Sequence, residues 1–362
     1  MKVATIIGAR PQFIKTPIVS RELELQGISE ILIHTGQHFD TNMSEVFFNQ
    51  LNIKTPEYNL NINSGFHGEQ TGRMLVELEK ILLSIRPDCV IVYGDTNSTL
   101  AGALTASKLH IPLVHIEAGL RSYNRLMPEE INRVITDTIS DFLFAPTSDA
   151  IKNLKLEGVT RNVFHVGDVM LDVMQETLRK INIEDILSKN GLADENFILV
   201  TIHRAENTDN LGNLFQIWNS VIKLSREGVR IVFPVHPRTL QKLKQLTNIE
   251  NDINVKLNLV PPLSYFEMIA LEKSSKLIIT DSGGVQKEGY FLGTRCLIPR
   301  GETEWTKLVE IGWNKLVQTD TDSIVQSALE IFNSPKEVRK LSNYFGNGDA
   351  SKKIASILKE NL

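Results

Sequence analysis

The sequence predicts an α/β protein with two Rossmann-like, doubly wound domains that face each other across a cleft. Short β-branched runs alternate with longer segments of helical periodicity, which is typical of βα units on a parallel sheet. The chain has 362 residues, too many for one ordinary core and suited to two domains of middling size. Ligands of open α/β sheets bind beyond the carboxyl ends of the strands, so the residues that follow each strand are the candidates for a site.

Six strands are predicted in the first half of the chain and five in the second. A helix is predicted over the stretch TGRMLVELEKILLSI, whose apolar residues recur at helical spacing. The following IRPD ends it, because proline cannot continue a helix. The predicted strands are Val3–Ile7, Glu30–His34, Cys89–Tyr93, Pro112–Ile116, Phe142–Phe144, Val163–Val166, Phe197–Ile202, Arg230–Val235, Val255–Leu259, Leu277–Thr280 and Cys296–Ile298.

A polar, charge-rich stretch near residues 182–196 separates the two halves. We place the boundary between Val166 and Asn196, and expect an N-terminal domain of residues 1–170 and a C-terminal domain of residues 171–345. No repeat with the period of a solenoid is found.

Composition excludes several classes of protein. The formal net charge of −4 gives no general attraction to nucleic acid or anionic lipid. The two cysteines, Cys89 and Cys296, are far apart and form no CxxC metal motif, which indicates a reduced compartment. No run reaches the roughly 18 apolar residues of a membrane span, and the N-terminal apolar run is too short for a secretory signal. We expect a soluble, cytoplasmic protein without nucleic-acid or membrane partners.

The first predicted strand leads into GARPQFIK. Gly8 permits a sharp turn, Arg10 can bind phosphate with its planar fork, and Pro11 suits the first helical position. Lys15 follows about one turn later. The stretch indicates an anion pocket, although an ordinary βα turn with a surface arginine would explain it equally well.

Acidic residues follow two of the predicted strands and open the next helix. Asp95 follows a strand in VYGDTNSTL, where it could also be an N-cap, and Glu117 ends a strand in VHIEAGLRS, where it could pair with Arg121. Glu129 and Glu130 open a helix in MPEEINR, where acids also suit the helix dipole. These acids can converge at one edge of the sheet, and this convergence is more informative than any single acid. Several carboxylates in one partly desolvated site push pKa values upward and apart, as proton transfer near neutral pH requires.

Histidine and arginine follow two consecutive strands of the second half. LVTIHRAEN places His203 and Arg204 there, and IVFPVHPRT places His236 and Arg238. A single histidine at such a position is more often structural, but two such strand ends favour a functional site.

The stretch LIITDSGGVQKEG is the most specific motif. An apolar strand is followed by Ser282, Gly283, Gly284 and a helix start, where backbone N–H groups and the helix dipole can bind an anion. The glycines allow close approach of a diphosphate, and Glu288 could accept from both hydroxyls of a ribose.

Taken together, these motifs resemble the non-hydrolysing UDP-N-acetylglucosamine 2-epimerases over essentially the whole chain. The stretches that carry the resemblance are GARPQ, TGQH, YGDT, HIEAGLRS, PEEINR, VTIHRAEN, VHP, TDSGGVQKE and GNGDASKKI. The resemblance implies a glycosyltransferase-B-like fold, with a C-terminal helix in residues 346–362 that returns to the N-terminal domain. It also implies a homodimer and a role in making precursors of surface polysaccharide.

The implied reaction has two steps at C2 of the sugar. Removal of the C2 proton with anti loss of UDP gives a 2-acetamidoglycal, and UDP then re-adds with protonation on the other face. No metal or nicotinamide cofactor is needed. The family's catalytic positions fall on Asp95, Glu117, Glu129 and His203. The expected substrate contacts are Arg10, Lys15, Arg133, Arg204, His236, Ser282, Gly283, Gly284 and Glu288, all with UDP or its sugar.

Two departures from the family pattern concern the sugar. Gln12 stands where most members have an acid near the nucleotide, and Trp305 stands where most have arginine. Both resemble a branch that epimerises UDP-2,3-diacetamido-2,3-dideoxyglucuronate. Loss of an acid suits a negatively charged uronate, whereas loss of an arginine does not, so both sugars stay open. Some members carry a second, activating UDP-N-acetylglucosamine site, which would involve Gln37, His38, Gln70 and Arg73 here.

Three other functions compete with this one. A glycosyltransferase of the same fold would share the DSGG turn and Glu288 but would not need three acids in the first domain. A hydrolysing 2-epimerase would release free N-acetylmannosamine. A non-catalytic sensor of nucleotide sugars would bind without turnover, although the complete set of acids argues against it.

Overall fold

The structure is a computed structural model that describes residues 1–37, 53–193, 196–246, 256–335 and 343–362. The chain divides into two units, Met1–Gln175 with Leu341–Leu362, and Glu176–Lys340. Each unit is built around one parallel sheet with helices between its strands, so the predicted α/β class is confirmed. None of the helices within these residues is both long and apolar enough to cross a membrane.

The first unit contains a seven-stranded sheet with the order β3-β2-β1-β4-β5-β6-β7. Its strands are β1 (Lys2–Ile7), β2 (Ser29–His34), β3 (Tyr58–Asn59), β4 (Cys89–Tyr93), β5 (Leu113–Ile116), β6 (Phe142–Ala145) and β7 (Val163–His165). Its helices are α1 (Arg10–Leu25), α2 (His67–Ile85), α3 (Asn97–Lys108), α4 (Pro128–Ile139), α5 (Ser148–Leu156) and α6 (Val169–Lys180), inside which the division between the units falls.

The second unit contains a six-stranded sheet with the order β10-β9-β8-β11-β12-β13. Its strands are β8 (Phe197–Thr201), β9 (Arg230–Pro234), β10 (Leu257–Val260), β11 (Leu277–Thr280), β12 (Cys296–Pro299) and β13 (Lys315–Val317). The helices are α7 (Ile183–Lys189), α8 (Ala205–Thr208), α9 (Leu211–Arg226), α10 (Pro237–Leu246), α11 (Tyr265–Ser274), α12 (Gly283–Leu292), α13 (Thr306–Glu310) and α14 (Thr321–Asn333).

Strand order reverses once in each sheet. In the first unit the reversal lies between β1 and β4, where Ile6 pairs with Val92. In the second it lies between β8 and β11, where Thr201 pairs with Thr280. Connections leave the two strands at a reversal in opposite directions, which opens a crevice at their carboxyl ends. These two crevices are therefore the places in the units where a ligand is expected.

The helix predicted over TGRMLVELEKILLSI is confirmed within α2. Met74, Leu78 and Leu82 are fully buried on one face, against apolar residues of β1 and β4. The helix ends at Arg86, which takes a left-handed φ of 46° and donates its N–H to the carbonyl of Leu82. Pro87 follows, so the helix cannot continue.

The last helix, α15 (Ala350–Asn361), belongs to the first unit, where it packs against α1. Asp172 of α6 is buried and accepts hydrogen bonds from the backbone N–H groups of Ala350 and Ser351 at 3.2 and 2.8 Å. The hydroxyl of Ser351 donates to the same carboxylate at 2.7 Å. Asp172 therefore satisfies the first N–H groups of this helix, which have no partner inside it.

Most predicted strands agree with observed strands to within one or two residues at each end. The predicted strand Val255–Leu259 begins outside the described residues, and β10 starts at Leu257. The short strands β3 and β13 were missed, because runs of two and three residues carry no periodic pattern.

Candidate active site

Asp95 lies in the turn after β4, next to the strand reversal of the first sheet. This turn is held from several sides. The amide of Gln12 donates to the carbonyl of Tyr93 at 2.9 Å, and Asn132 donates to the carbonyl of Asp95 at 2.9 Å. The Asp95 carboxylate itself forms an ion pair with the buried guanidinium of Arg133. The position of this acid is thus fixed by groups from α1 and α4.

Glu117 follows the neighbouring strand, β5, and has a φ of +76°, an unfavourable conformation for a residue with a side chain. Its backbone N–H donates to the carbonyl of Phe144 at 3.0 Å, and its carboxylate pairs with Lys15 of α1. A β-carbon placed on Gly94 would lie 3.5 Å from the Glu117 Oε2 atom. The structure therefore brings Glu117 beside the Asp95 turn.

A small cavity adjoins Glu117 inside the first unit. Lys15, Glu117 and Asp168 are its charged lining residues. The remaining lining residues are mostly apolar: Ile116, Phe144, Pro146, Val166, Gly167 and Val169.

Glu129 and Glu130 occupy different environments in the first turn of α4. Glu129 is exposed, whereas Glu130 is 2% exposed and pairs with Arg133 at 2.6 Å. Glu130 also accepts from the backbone N–H groups of Ser122 and Tyr123, both at 2.9 Å. Burial opposes ionisation of Glu130, but these two amides and Arg133 outweigh it and lower its pKa. Glu130 thus supports the loop that precedes α4.

Glu130→Gln is expected to destabilise the first unit by about 2–3 kcal/mol at neutral pH, because the charged acceptor of two amides and one guanidinium is lost. A lowered pKa stabilises the fold above the ordinary value of 4.5, and that stabilisation disappears as the pH falls through the lowered value. The difference between variant and wild type in urea unfolding should therefore shrink below about pH 4.5. Glu129→Gln is the matched control and should not change stability. A difference between Glu130→Gln and wild type that is constant with pH would contradict this role.

A buried network lies beneath these acids. Asp137 accepts from His115 at 2.7 Å, from Arg121 at 2.7 Å and from the backbone N–H of Gly119 at 3.0 Å. Burial raises the pKa of Asp137, but His115 and Arg121 outweigh this and lower it. Arg121 binds Glu157 as well, through two bonds of 2.8 and 2.6 Å. Arg121, the partner that a structural role of Glu117 would have required, is thus bound to other acids, and Glu117 pairs with Lys15.

In the second unit, Asp281 of the DSGG motif is fully buried and organises the loop after β8. It accepts from the backbone N–H groups of His203 and Arg204 at 3.1 Å each, and from the Asn207 amide at 3.0 Å. The His203 ring is 59% exposed, with its Nδ1 atom 3.5 Å from Asp281. Asp281 therefore fixes the backbone from which His203 projects.

Helix α12 begins at the strand reversal of the second sheet, directly after Ser282. The indole N–H of Trp305 donates to the carbonyl of Gly283 at 2.8 Å, and the ammonium of Lys287 lies 4.9 Å from the centre of the Trp305 ring. Gly284 follows in the same first turn, and Glu288 is buried further along the helix. Trp305 thus supports the glycine turn that was predicted to bind a diphosphate.

Two arginines lie near the same helix start. Glu304 pairs with Arg204 at 2.6 Å and with Arg300 at 3.4 Å, and its Oε2 atom would lie 3.3 Å from a β-carbon on Gly283. Burial raises the pKa of Glu304, but Arg204 and Arg300 outweigh it and lower the value. An ion-pair cluster, in which Glu304 links Arg204 and Arg300, therefore lies beside the N-terminus of α12. Sequence reasoning missed Arg300.

The other predicted contacts are spread over both units. Arg10 is the first residue of α1, and His236 is an exposed residue between β9 and α10. Of the predicted regulatory residues, Gln37 accepts from Ser98 and Gln70 accepts from Asn97, both in the first turn of α3. Arg73 lies 3.8 Å from Glu69 on α2, and His38 lies outside the described residues.

No group of three or more His, Cys, Asp or Glu side chains in the described part of the chain is arranged to hold a metal ion.

The sequence matches the family model of UDP-N-acetylglucosamine 2-epimerase over residues 21–359. The chain belongs to this family. A curated relative from Methanococcus maripaludis, a UDP-N-acetylglucosamine 2-epimerase homolog, is 50% identical, with 99% of both chains covered. The UDP-2,3-diacetamido-2,3-dideoxy-D-glucuronate 2-epimerase of Pseudomonas aeruginosa is 49% identical, also with 99% of both chains covered.

A solved structure of a family member is also similar. The Methanocaldococcus jannaschii UDP-GlcNAc 2-epimerase, crystallised in complex with UDP-GlcNAc and UDP, has a TM-score of 0.89 and 42% identity, with all of both chains covered. The family and the fold inferred from the motifs are thereby confirmed.

Gln12, one of the two departures from the family pattern, has a structural role in this 2-epimerase-family chain. It is 2% exposed, its oxygen accepts from the N–H groups of Gly8 and Ala9, and its nitrogen donates into the Asp95 turn. The side chain therefore ties the turn after β1 to the turn after β4.

Sequence reasoning also missed His115 and Asp137. One signal for His115 was present: a histidine inside an otherwise apolar strand needs buried partners for its ring.

Proposed function

We propose that this chain is a UDP-sugar 2-epimerase that inverts C2 of a UDP-linked 2-acetamido sugar. The observation that carries the proposal is the pair of carboxylates on adjacent strand ends, Asp95 and Glu117, each beside a cation, Arg133 and Lys15. A reaction that removes and returns a proton on opposite faces of one carbon needs more than one acid–base group. Membership of the 2-epimerase family supports the same reaction.

In the first step, a carboxylate takes the proton from C2, the C2–H electrons form the C1=C2 bond, and the C1–O bond breaks as UDP leaves with its electron pair. In the second step, an oxygen of UDP attacks C1 of the 2-acetamidoglycal while a second acid protonates C2 on the other face. We assign these proton transfers to Asp95, Glu117 and Glu129. Exposed Glu129 has no fixed partner among the described residues, so it is the acid that substrate has to position.

UDP is leaving group in one step and nucleophile in the next, so it has to stay bound in between. We assign its diphosphate to Ser282, Gly283 and Gly284, because N–H groups at a helix start bind anions. We assign the two ribose hydroxyls of UDP to the carboxylate of Glu288, which accepts hydrogen bonds from them. His203 serves as a catalytic residue on the loop that Asp281 fixes. Arg10, Arg204 and His236 complete the substrate contacts.

The second unit is thus assigned to UDP binding and the first to proton transfer. We infer a cytoplasmic homodimer. Cys89 and Cys296 are buried free thiols, which agrees with a reducing compartment.

The proposal is tested by incubating the purified chain with UDP-N-acetylglucosamine, and separately with the diacetamido uronate, in heavy water. We expect deuterium at C2 of the nucleotide sugar and formation of the C2 epimer without any acceptor, detected by NMR. The sugar that turns over with the higher kcat/KM is the substrate.

Three outcomes would contradict the proposal. Transfer of the sugar to an acceptor with C2 unlabelled would indicate a glycosyltransferase. Release of free N-acetylmannosamine would indicate a hydrolysing enzyme. Binding of both nucleotides without turnover would indicate a sensor.

A further inference from the structure

His115 lies inside β5 and is fully buried. Its Nδ1 atom is 2.7 Å from the Oδ1 atom of Asp137, and its Nε2 atom is 2.8 Å from the carbonyl oxygen of Gly94. Gly94 immediately precedes Asp95, so one ring nitrogen contacts the turn that carries a proposed catalytic acid.

Both contacts demand a proton on the ring. A carbonyl oxygen can only accept a hydrogen bond, so Nε2 has to donate to Gly94. Asp137 accepts from Arg121 and Gly119 through Oδ2 and forms a buried ion pair with Arg121. It is therefore a carboxylate, and Nδ1 of the ring has to donate to its Oδ1 atom as well. A neutral imidazole has one N–H only, and its lone pair would then face an oxygen at less than 3 Å.

Within the buried part of this network, the Asp137 carboxylate lies between the His115 ring and the Arg121 guanidinium. Arg121 also pairs with Glu157 at 2.6 Å, but the Glu157 side chain is 34% exposed.

We propose that His115 donates from both ring nitrogens, to Asp137 and to the carbonyl of Gly94, and that through this carbonyl it is a positioning residue for the Asp95 carboxylate. The charged groups of its network are Asp137 from α4, Arg121 from the loop after β5, and Glu157 after α5. The positioning role rests on the proposed function of Asp95, whereas the protonation state does not.

The protonation state is tested by nitrogen-15 NMR of the full chain with labelled histidine. The chain has eight histidines, and the His115 signals are those that disappear in His115→Gln. If that variant does not fold, replacement of each of the other seven histidines in turn assigns their signals and leaves those of His115. We expect both ring nitrogens of His115 to carry protons at pH 7, because each lies within 2.8 Å of an oxygen atom that accepts. A neutral ring at pH 7 would overturn the proposal.

The positioning role is tested by two variants that each retain one contact. Asparagine places its amide nitrogen near the Nδ1 position and keeps the bond to Asp137, whereas glutamine places its nitrogen near Nε2 and keeps the bond to Gly94. We expect His115→Asn to lower kcat on the order of 10- to 100-fold with KM changed by less than about twofold, because misplacement of a reacting group is costly. His115→Gln should retain more of the wild-type kcat.

Equal losses of kcat in the two variants would overturn the positioning role, since a purely structural histidine gives no reason for glutamine to be better. Absence of C2 exchange in the wild type would refute the proposed function instead. The NMR result would be unaffected by that outcome.

Discussion

Replacement of Glu117 by glutamine is expected to lower kcat by a factor on the order of 10²–10⁴, the usual contribution of a positioned acid–base group. Glutamine has nearly the same shape, so it can keep the turn after β5 and its unfavourable φ of +76°. It cannot take or return a proton at C2. UDP affinity should stay within about threefold of wild type, because the diphosphate is assigned to residues of the other unit.

The measurement is turnover by NMR together with calorimetric titration of UDP. Glu79→Gln, at an exposed position of α2, is the matched control and should leave both quantities unchanged. Because Lys15 loses its anionic partner in Glu117→Gln, the melting temperature is measured as well. A loss of UDP affinity as large as the loss of turnover would mean that Glu117 binds substrate and does not transfer protons.

Asp281→Ala is expected to destabilise the second unit by about 3–5 kcal/mol, because it removes a fully buried charged acceptor. Two backbone N–H groups, of His203 and Arg204, and the amide of Asn207 would lose their partner. The loop that presents His203 would then be free to shift, so kcat should fall on the order of tenfold or more.

Urea unfolding and turnover measure these two effects. The matched control in the same unit is Asp322→Ala. Asp322 is 86% exposed and pairs with Lys223 on the surface, so its loss should change stability by less than about 1 kcal/mol. If Asp281→Ala were as stable and as active as this control, Asp281 could not be the group that fixes the His203 loop.

The strand ends were predictable because alternating βα patterns place them within a residue or two. Asp95, His203 and Ser282 therefore fell at the two strand reversals, where a doubly wound sheet binds its ligands, and Glu117 fell at the end of the neighbouring strand β5. The DSGG turn was predictable for a further reason, since two glycines at a helix start have few explanations other than close approach of an anion.

Partner choice among charged residues was not predictable. Arg121 was a possible partner of Glu117 in the sequence, yet Asp137 and Glu157 bind it, because contacts between distant residues are decided by tertiary packing. Glu129 and Glu130 are equivalent in sequence terms, but the direction of α4 buries only the second. Gln12 can link the turns after β1 and β4 only because they lie close together in the fold, and the periodicity of the sequence does not reveal this distance.

The last helix belongs to the unit that begins the chain, and this affects how the protein is made. While the ribosome is still translating the second unit, roughly tens of seconds at typical rates, Asp172 has none of the N–H donors that α15 supplies. The surface of α1 that α15 covers is exposed to solvent during the same period. A nascent chain arrested before residue 350 would therefore present an incomplete first unit to chaperones and proteases.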